Sequence, residues 1–69
     1  MILLPTEEFK RIESRAQKII TLPASGEWDN IVPGFTLNLV DKTTRNRLFA
    51  IVTDVTFRRD GYKDITFKL

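Results

Sequence analysis

The runs FTLNLV at Phe35–Val40 and LFAIVTDVTF at Leu48–Phe57 decide the fold. Both are rich in β-branched and aromatic side chains, and their apolar residues recur with a period near two, which is typical of β-strands. The polar segment between them, Asp41–Arg47, contains no apolar side chain, so the connection can lie in water. The sequence therefore predicts an antiparallel hairpin at the centre of the domain.

Strict alternation divides the apolar residues of the second strand between two faces, with Phe49, Ile51, Val55 and Phe57 on one and Leu48, Ala50 and Val52 on the other. The first half of this strand is therefore apolar on both sides. One face lines the core. We expect the helix or the long loop described below to cover the other face near Leu48–Val52, and solvent to reach it from Asp54 onward.

The residues before the hairpin predict a strand followed by a helix. Ile2–Leu4 form a short apolar run that ends at a proline. Thr6 then occupies the position of a helix N-cap, with two glutamates in the first turn. Phe9, Ile12 and Ala16 recur on one face, at i, i+3 and i+7. The pattern predicts one amphipathic helix of roughly three turns.

Further strands are predicted on both sides of the hairpin. Lys18–Leu22 is rich in β-branched residues and ends at a proline, which favours a second strand. Pro23–Gly34 has the composition of a loop and contains the only tryptophan, Trp28. After a turn at Asp60-Gly61, the alternating run Lys63–Leu69 predicts the last strand, which we expect to form an edge of the sheet. The alternation predicts inward side chains at Ile65, Phe67 and Leu69 and outward ones at Thr66 and Lys68.

This order of elements predicts a single domain, residues 1–69, of the α+β class. We expect a small curved antiparallel sheet or half-open β-barrel with one N-terminal amphipathic helix. A chain of 69 residues buries only about 60% of the surface that it exposes when unfolded, so we expect marginal stability.

Composition argues against most enzyme chemistry. The chain has no cysteine and no histidine, which excludes disulfides, thiolate zinc sites and the usual near-neutral general base. Its nine acidic residues nowhere show a ligand spacing such as D-x-D. We therefore predict a non-enzymatic protein with no metal and no cofactor.

Net charge and hydropathy limit which partners and which cellular location the protein can have. Eleven basic and nine acidic residues give a net charge of +2, too small an excess to indicate nucleic acid by itself. The apolar start Met1–Leu4 is too short for a signal peptide, and no run approaches the length of a membrane span. We expect a cytoplasmic protein that does not bind membranes; the sequence leaves its oligomeric state open.

The order of predicted elements and two sequence segments together resemble ASCH domains of the PUA-like superfamily. The order is an N-terminal apolar strand, a helix that begins just after a proline, a short strand, a loop and a long valine-rich strand. VPGFTLNLV at Val32–Val40 is similar to the segment that opens the family's barrel strand, and Ile51–Val55 is similar to a later strand of the v-x-x-V type. The resemblance covers most of the chain. It implies a small β-barrel with a helix beside a cleft, and binding of RNA or modified nucleotides. Reduced forms of this kind are common among small phage-encoded proteins.

The family's signature motif is mostly missing. Its G-x-K-x-x-E-x-R pattern falls near Ser14–Thr21, where only Lys18 matches. Phe35 stands where the family commonly has an aspartate. The resemblance therefore carries Lys18 alone into a predicted binding site.

Three basic or aromatic groups are candidate binding residues. Trp28 can stack on a base, or it can fold back as a lid over the central strand. Arg58 and Arg59, with Tyr62 after the turn, can form a basic and aromatic edge or an ordinary solvated hairpin tip. The third group is a helical stripe of basic residues that either faces phosphates or is simply solvated, namely Arg11, Arg15 and Lys18. A further basic cluster lies in the hairpin loop, at Lys42, Arg45 and Arg47.

The leading hypothesis is a nucleic-acid-binding module for RNA or single strands. In it, phosphates are contacted by four basic residues and a base stacks on one of two aromatic residues, the set being Arg15, Lys18, Arg58, Arg59, Trp28 and Tyr62. The alternative is a protein-interaction or inhibitor module, of phage accessory type, that presents a sheet edge or the Trp28 loop to a protein partner.

Overall fold

Five strands and one helix make up the computed structural model, which describes residues 1–69: β1 (Ile2–Leu4), α1 (Thr6–Glu13), β2 (Ile19–Pro23), β3 (Thr36–Asp41), β4 (Arg47–Phe57) and β5 (Tyr62–Lys68). The strands form one curled half-barrel sheet in the order β1-β3-β4-β5-β2. The predicted α+β class, with a small curved sheet and one helix near the N-terminus, is confirmed. The central hairpin is present as well, with β3 and β4 antiparallel.

Two features of the sheet differ from the prediction. β1 pairs with β3 in parallel, whereas every other pairing is antiparallel. β5 lies between β4 and β2, so the expectation that the last strand is an edge is wrong. The two edges are β1 and β2, and α1 connects them in the chain.

The core lies on the concave face of the sheet, under α1. The helix contributes Phe9 and Ile12, and the long loop contributes Ile31. The strands contribute alternate residues, which are Ile2, Leu4, Ile20, Leu37, Leu39, Ala50, Val52, Ile65 and Phe67. Full burial of one such side chain stabilises the fold by roughly 1.5 to 3 kcal/mol. The predicted inward positions of Ile65 and Phe67 in the last strand are confirmed, whereas Leu69, also predicted to face inward, is exposed.

A bulge in β4 changes which residues face the core. Val52 pairs with Phe67 and Asp54 pairs with Thr66, so Thr53 has no partner. The extra residue moves Val55 onto the same side as Val52, because side chains alternate along a strand. The prediction of strict alternation placed Val55 on the same face as Phe49 and Ile51, and it is therefore wrong beyond Thr53.

α1 is shorter than predicted because it ends at Glu13. The chain then forms a Schellman motif: the Arg15 N–H donates to the carbonyl of Ile12 and the Ala16 N–H donates to that of Arg11, both at 2.9 Å. Arg15 occupies the left-handed position of this motif, with φ of 66°, where glycine is the usual residue. Ala16 is exposed, so its predicted place on the buried helical face is wrong.

The start of α1 is tied to the central hairpin. Thr6 is the first helical residue rather than the N-cap, which is Pro5. The Thr6 hydroxyl donates to Asp41 Oδ1 at 2.8 Å, and the Thr43 N–H donates to the same oxygen at 2.9 Å. The Lys42 N–H also donates to the carbonyl of Leu4. Asp41 and Lys42 together therefore join the helix, β1 and the hairpin loop.

Asp41 is a buried residue, 2% exposed, and its carboxyl group is stabilised in its charged form. Burial acts to raise its pKa, but hydrogen bonds from Thr43, Thr6 and Thr44 together outweigh burial and lower the pKa of Asp41. A lowered pKa means that the ionised group stabilises the fold above its ordinary pKa of about 3.9. That contribution is lost as the pH falls through the lowered value.

Candidate nucleic-acid interface

A cleft of about 210 Å³ lies where the end of α1 meets the end of β5. Two buried side chains, Ile12 and Phe67, form its apolar floor. Three basic residues, Arg15, Lys18 and Lys68, line it, together with Gln17 and Leu69. The cleft therefore combines an apolar floor with a cationic rim.

Local backbone structure brings the three cations together. Arg15 reaches the rim from the left-handed position that ends the helix. Lys18 is held beside the end of β5, because its carbonyl accepts a hydrogen bond from the Phe67 N–H at 3.0 Å. Lys68 follows Phe67 and faces away from the core, since successive side chains alternate along a strand.

Gln17 organises the wall of the cleft. Its side-chain NH₂ donates to Glu8 Oε2 at 2.9 Å and to the carbonyl of Ile19 at 3.0 Å. Its carbonyl oxygen accepts from Arg11 Nε at 3.0 Å. Glu8 is thereby engaged by an amide, and no carboxylate lies within 4.0 Å of the cationic nitrogen atoms of Arg15 or Lys18.

Charge pairing is rare in the rest of the molecule too. Arg58 is the only basic residue with an ion pair, and Lys63 is buried. The other nine basic residues have no carboxylate within 4.0 Å, so the modest net charge hides a large number of unpaired cations. Three of those nine meet at the cleft.

The predicted edge at Arg58, Arg59 and Tyr62 lies at the opposite end of β5. Tyr62 and Lys68 are six positions apart, which places the two ends about 20 Å from each other. Arg58 is engaged there by two carboxylates, with Asp60 at 2.9 Å and Asp64 at 3.5 Å. Arg59 is exposed, and Tyr62 is exposed beside Pro23 of β2.

Trp28 lies apart from both groups. Its side chain is half-buried against the core, and its carbonyl accepts a hydrogen bond from the buried Lys63 ammonium. Lys63 Nζ also lies 5.9 Å from the centre of the Phe57 ring. Trp28 packs as a lid on the concave side of the sheet, so the expectation that the loop or the helix covers the convex face of β4 is wrong.

Trp28 also lines a groove of about 350 Å³ along the edge of β3. Because β1 pairs only with Leu39–Asp41, residues Thr36–Asn38 have no neighbouring strand on that side. Asn38 lines this groove, and its side-chain oxygen is buried without a hydrogen-bond donor.

The six predicted site residues do not form one site. Arg15 and Lys18 line the cleft, Arg58, Arg59 and Tyr62 lie together at the other end of β5, and Trp28 lies apart from both groups. Sequence reasoning missed Lys68, although its outward orientation was predicted, because nothing local indicates that β5 ends beside the helix terminus. It also missed Phe49, which is exposed on the convex face. The alternation of apolar residues indicates two faces but does not indicate which one remains uncovered.

Comparison with protein-family models, with curated proteins and with solved structures finds no match for this chain. The resemblance to ASCH domains therefore stays a prediction. The single helix is neither long enough nor apolar enough to cross a membrane.

Proposed function

We propose that this protein is a non-enzymatic nucleic-acid-binding module that contacts phosphates through Arg15, Lys18 and Lys68. The observation that carries the proposal is the meeting of these cations around one cleft, with no carboxylate paired to any of them. Each is free to replace a counterion on a phosphate backbone, which is the main source of affinity in such complexes. The resemblance to ASCH domains, which implies RNA binding, supports the same proposal.

The positions of the basic residues change which of them we assign to phosphate binding. Arg58 contacts two carboxylates, so binding a phosphate there requires an existing ion pair to break. Arg59 lies in the turn between β4 and β5, and Tyr62 is the first residue of β5, so both are at the same distant end of that strand. We therefore assign phosphate contact to the cleft and none to the β4–β5 turn.

The test is a salt titration of oligonucleotide binding, measured by fluorescence anisotropy with a labelled single strand of six nucleotides. For single strands, the logarithm of the binding constant falls with the logarithm of salt concentration by about 0.7 per phosphate neutralised. We expect the double variant Lys18→Ala, Lys68→Ala to weaken binding and to make this slope shallower by about 1.4.

The matched control is the double variant Arg58→Ala, Arg59→Ala, which removes the same charge from the other end of β5. We expect its slope to equal that of the unmodified protein. Equal loss in the two double variants would show that only net charge matters, and undetectable binding at low salt would reject the proposal.

A second function, protein interaction, is favoured by the groove beside Trp28. An extended peptide can add to the unpaired edge at Thr36–Asn38, exchanging hydrogen bonds with the backbone N–H and C=O groups of β3 and placing a donor near the Asn38 oxygen. A Thr36→Pro substitution should block this mode and leave the cleft intact. Capture of one stoichiometric protein partner, independent of nuclease and lost in this variant, would favour it over nucleic acid.

A further inference from the structure

Phe49 and Ile51 form an uncovered apolar patch on the convex face of the sheet. Phe49 is 62% exposed and Ile51 is 46% exposed, and the two residues lie two positions apart on β4. Asn38 and Thr36 are their respective neighbours on β3. Neither side chain belongs to the core, so their apolar surface is not explained by folding.

The Phe49 ring is flanked by a strand on one side only. β5 pairs with β4 from Ile51 to Phe57 and does not extend to Phe49. Asn38 therefore lies beside the ring on the β3 side, and no strand residue lies opposite on the β5 side. Because Phe49 is largely exposed, a planar group from a ligand can approach its phenyl face.

The patch is continuous with the cationic cleft. Lys68 pairs directly with Ile51, and it also lines the cleft. Phe49 is the diagonal neighbour of Lys68 across the two strands, a relation that corresponds to a separation of about 7 to 8 Å. One ligand can therefore contact the Phe49 ring and the rim of the cleft together.

The charges around the patch are positive. Arg47 lies two positions before Phe49 on the same face of β4, and Lys68 lies beside Ile51. Neither has a carboxylate within 4.0 Å. Asp54, the acidic residue of β4, follows the bulge. An aromatic ring between two unpaired cations suits an aromatic anion rather than an apolar protein surface.

We infer that the ligand is a single-stranded nucleic acid, with one base stacked on Phe49 and an adjoining phosphate at the Arg15, Lys18 and Lys68 cleft. This inference rests on the proposed function and adds the base site to it. A duplex does not fit, because its bases are stacked on one another and their faces are unavailable to a side chain.

The test uses labelled oligonucleotides of RNA and of DNA, about twelve nucleotides long so that the complementary strands stay paired, each as a single strand and as a duplex. We expect at least tenfold weaker binding of the duplexes. We expect Phe49→Ala to weaken single-strand binding roughly 10- to 100-fold, as loss of a stacked base does, without changing the salt slope. The RNA and DNA arms show which sugar the site accepts.

Two further variants separate stacking from hydrophobic contact. Phe49→Trp keeps an aromatic face and should retain binding, whereas Phe49→Leu keeps a large apolar side chain and should lose it as Phe49→Ala does. Because Phe49 is exposed, all three variants should remain folded, which urea unfolding followed by Trp28 fluorescence checks.

Several outcomes overturn the inference. Unchanged affinity in Phe49→Ala, or equal affinity for duplex and single strand, rejects the base site while the salt slope of the Lys18→Ala, Lys68→Ala variant still tests the phosphate site. Self-association in sedimentation velocity that Phe49→Ala abolishes would assign the patch to a second copy of the chain. No binding of any oligonucleotide rejects both proposals.

Discussion

Most basic residues at the two ends of β5 are used in opposite ways; Arg59, which is exposed and has no carboxylate within 4.0 Å, is the exception. At the end near Tyr62, Arg58 is held by two carboxylates and Lys63 is buried at 1% exposure. At the end near Lys68, three cations line a cleft and none is paired. The same residue types thus serve stability at one end and remain available to a ligand at the other, which net charge and sequence position alone do not reveal.

The alternation of side chains along β5 explains why one of its two lysines is buried and the other is exposed. Lys63 and Lys68 are five positions apart, so their side chains point to opposite faces of the sheet. Lys63 points into the concave side, where its stem is packed and its ammonium donates to the Trp28 carbonyl. Lys68 points outward, beside Ile51.

The largest effect is expected from Lys63→Ala. Loss of the buried stem and of the hydrogen bond to Trp28 should lower the free energy of unfolding by roughly 3 kcal/mol. Lys68→Ala should change it by less than about 0.5 kcal/mol, because the side chain is exposed. Urea unfolding followed by Trp28 fluorescence measures both.

For oligonucleotide affinity we expect the reverse ranking, with the larger effect from substitution of Lys68. Lys68→Ala should weaken oligonucleotide binding, whereas Lys63→Met, which keeps most of the stem volume and therefore stays folded, should not. Equal stability of Lys63→Ala and Lys68→Ala, or a larger binding defect in Lys63→Met, would contradict the division of roles between the two ends.

The second prediction concerns the two arginines in left-handed conformations, Arg15 at φ of 66° and Arg45 at φ of 65°. This conformation costs a residue with a Cβ atom roughly 1 to 2 kcal/mol relative to glycine. Arg15→Gly and Arg45→Gly should therefore each raise the free energy of unfolding, by about 1 kcal/mol after the greater flexibility of unfolded glycine is counted.

Only Arg15→Gly should weaken binding. Arg45 lies in the loop between β3 and β4, so its removal subtracts the same charge without touching the cleft. The expected result is a shallower salt slope, by about 0.7, for Arg15→Gly alone. A stabilised Arg15→Gly protein with unchanged affinity would mean that the strained backbone has no connection with binding.

Local patterns were enough to predict most of the fold. The period of two in Leu48–Phe57 and the turn residues at Asp60-Gly61 act over a few positions, and they predicted strands whose ends agree with the structure to within one residue. Two features depend on distant contacts. The parallel pairing of Ile2–Leu4 has no local signal, and the bulge at Thr53 is set by the pairing of β4 with β5.

The site was harder to predict because it joins parts of the chain that are far apart in sequence. Arg15 and Lys18 were recognised as basic, but they were placed on a helix that ends at Glu13. Helix ends are commonly signalled by glycine, and here an arginine takes that position. Lys68 joins them only through the pairing of its strand beside Lys18, which is about fifty positions earlier.

The smallest effect is expected from freeing Arg58. The double variant Asp60→Asn, Asp64→Asn removes both of its partners, and its stability cost should be below about 1 kcal/mol because all three side chains are substantially exposed. Arg58 then becomes an unpaired cation like those of the cleft. We expect oligonucleotides long enough to span β5 to bind a few times more tightly, with a salt slope steeper by about 0.7.

The matched control is Glu27→Gln with Asp29→Asn, which neutralises two exposed carboxylates of the Trp28 loop that have no cation within 4.0 Å. Both double variants raise the net charge by the same amount. A gain in Asp60→Asn, Asp64→Asn alone would show that ion pairing withholds Arg58 from the ligand. An equal gain in affinity in the control would mean that long-range attraction accounts for binding without any particular contact. The two ends of β5 would then differ only in the distance of their cations from acidic groups.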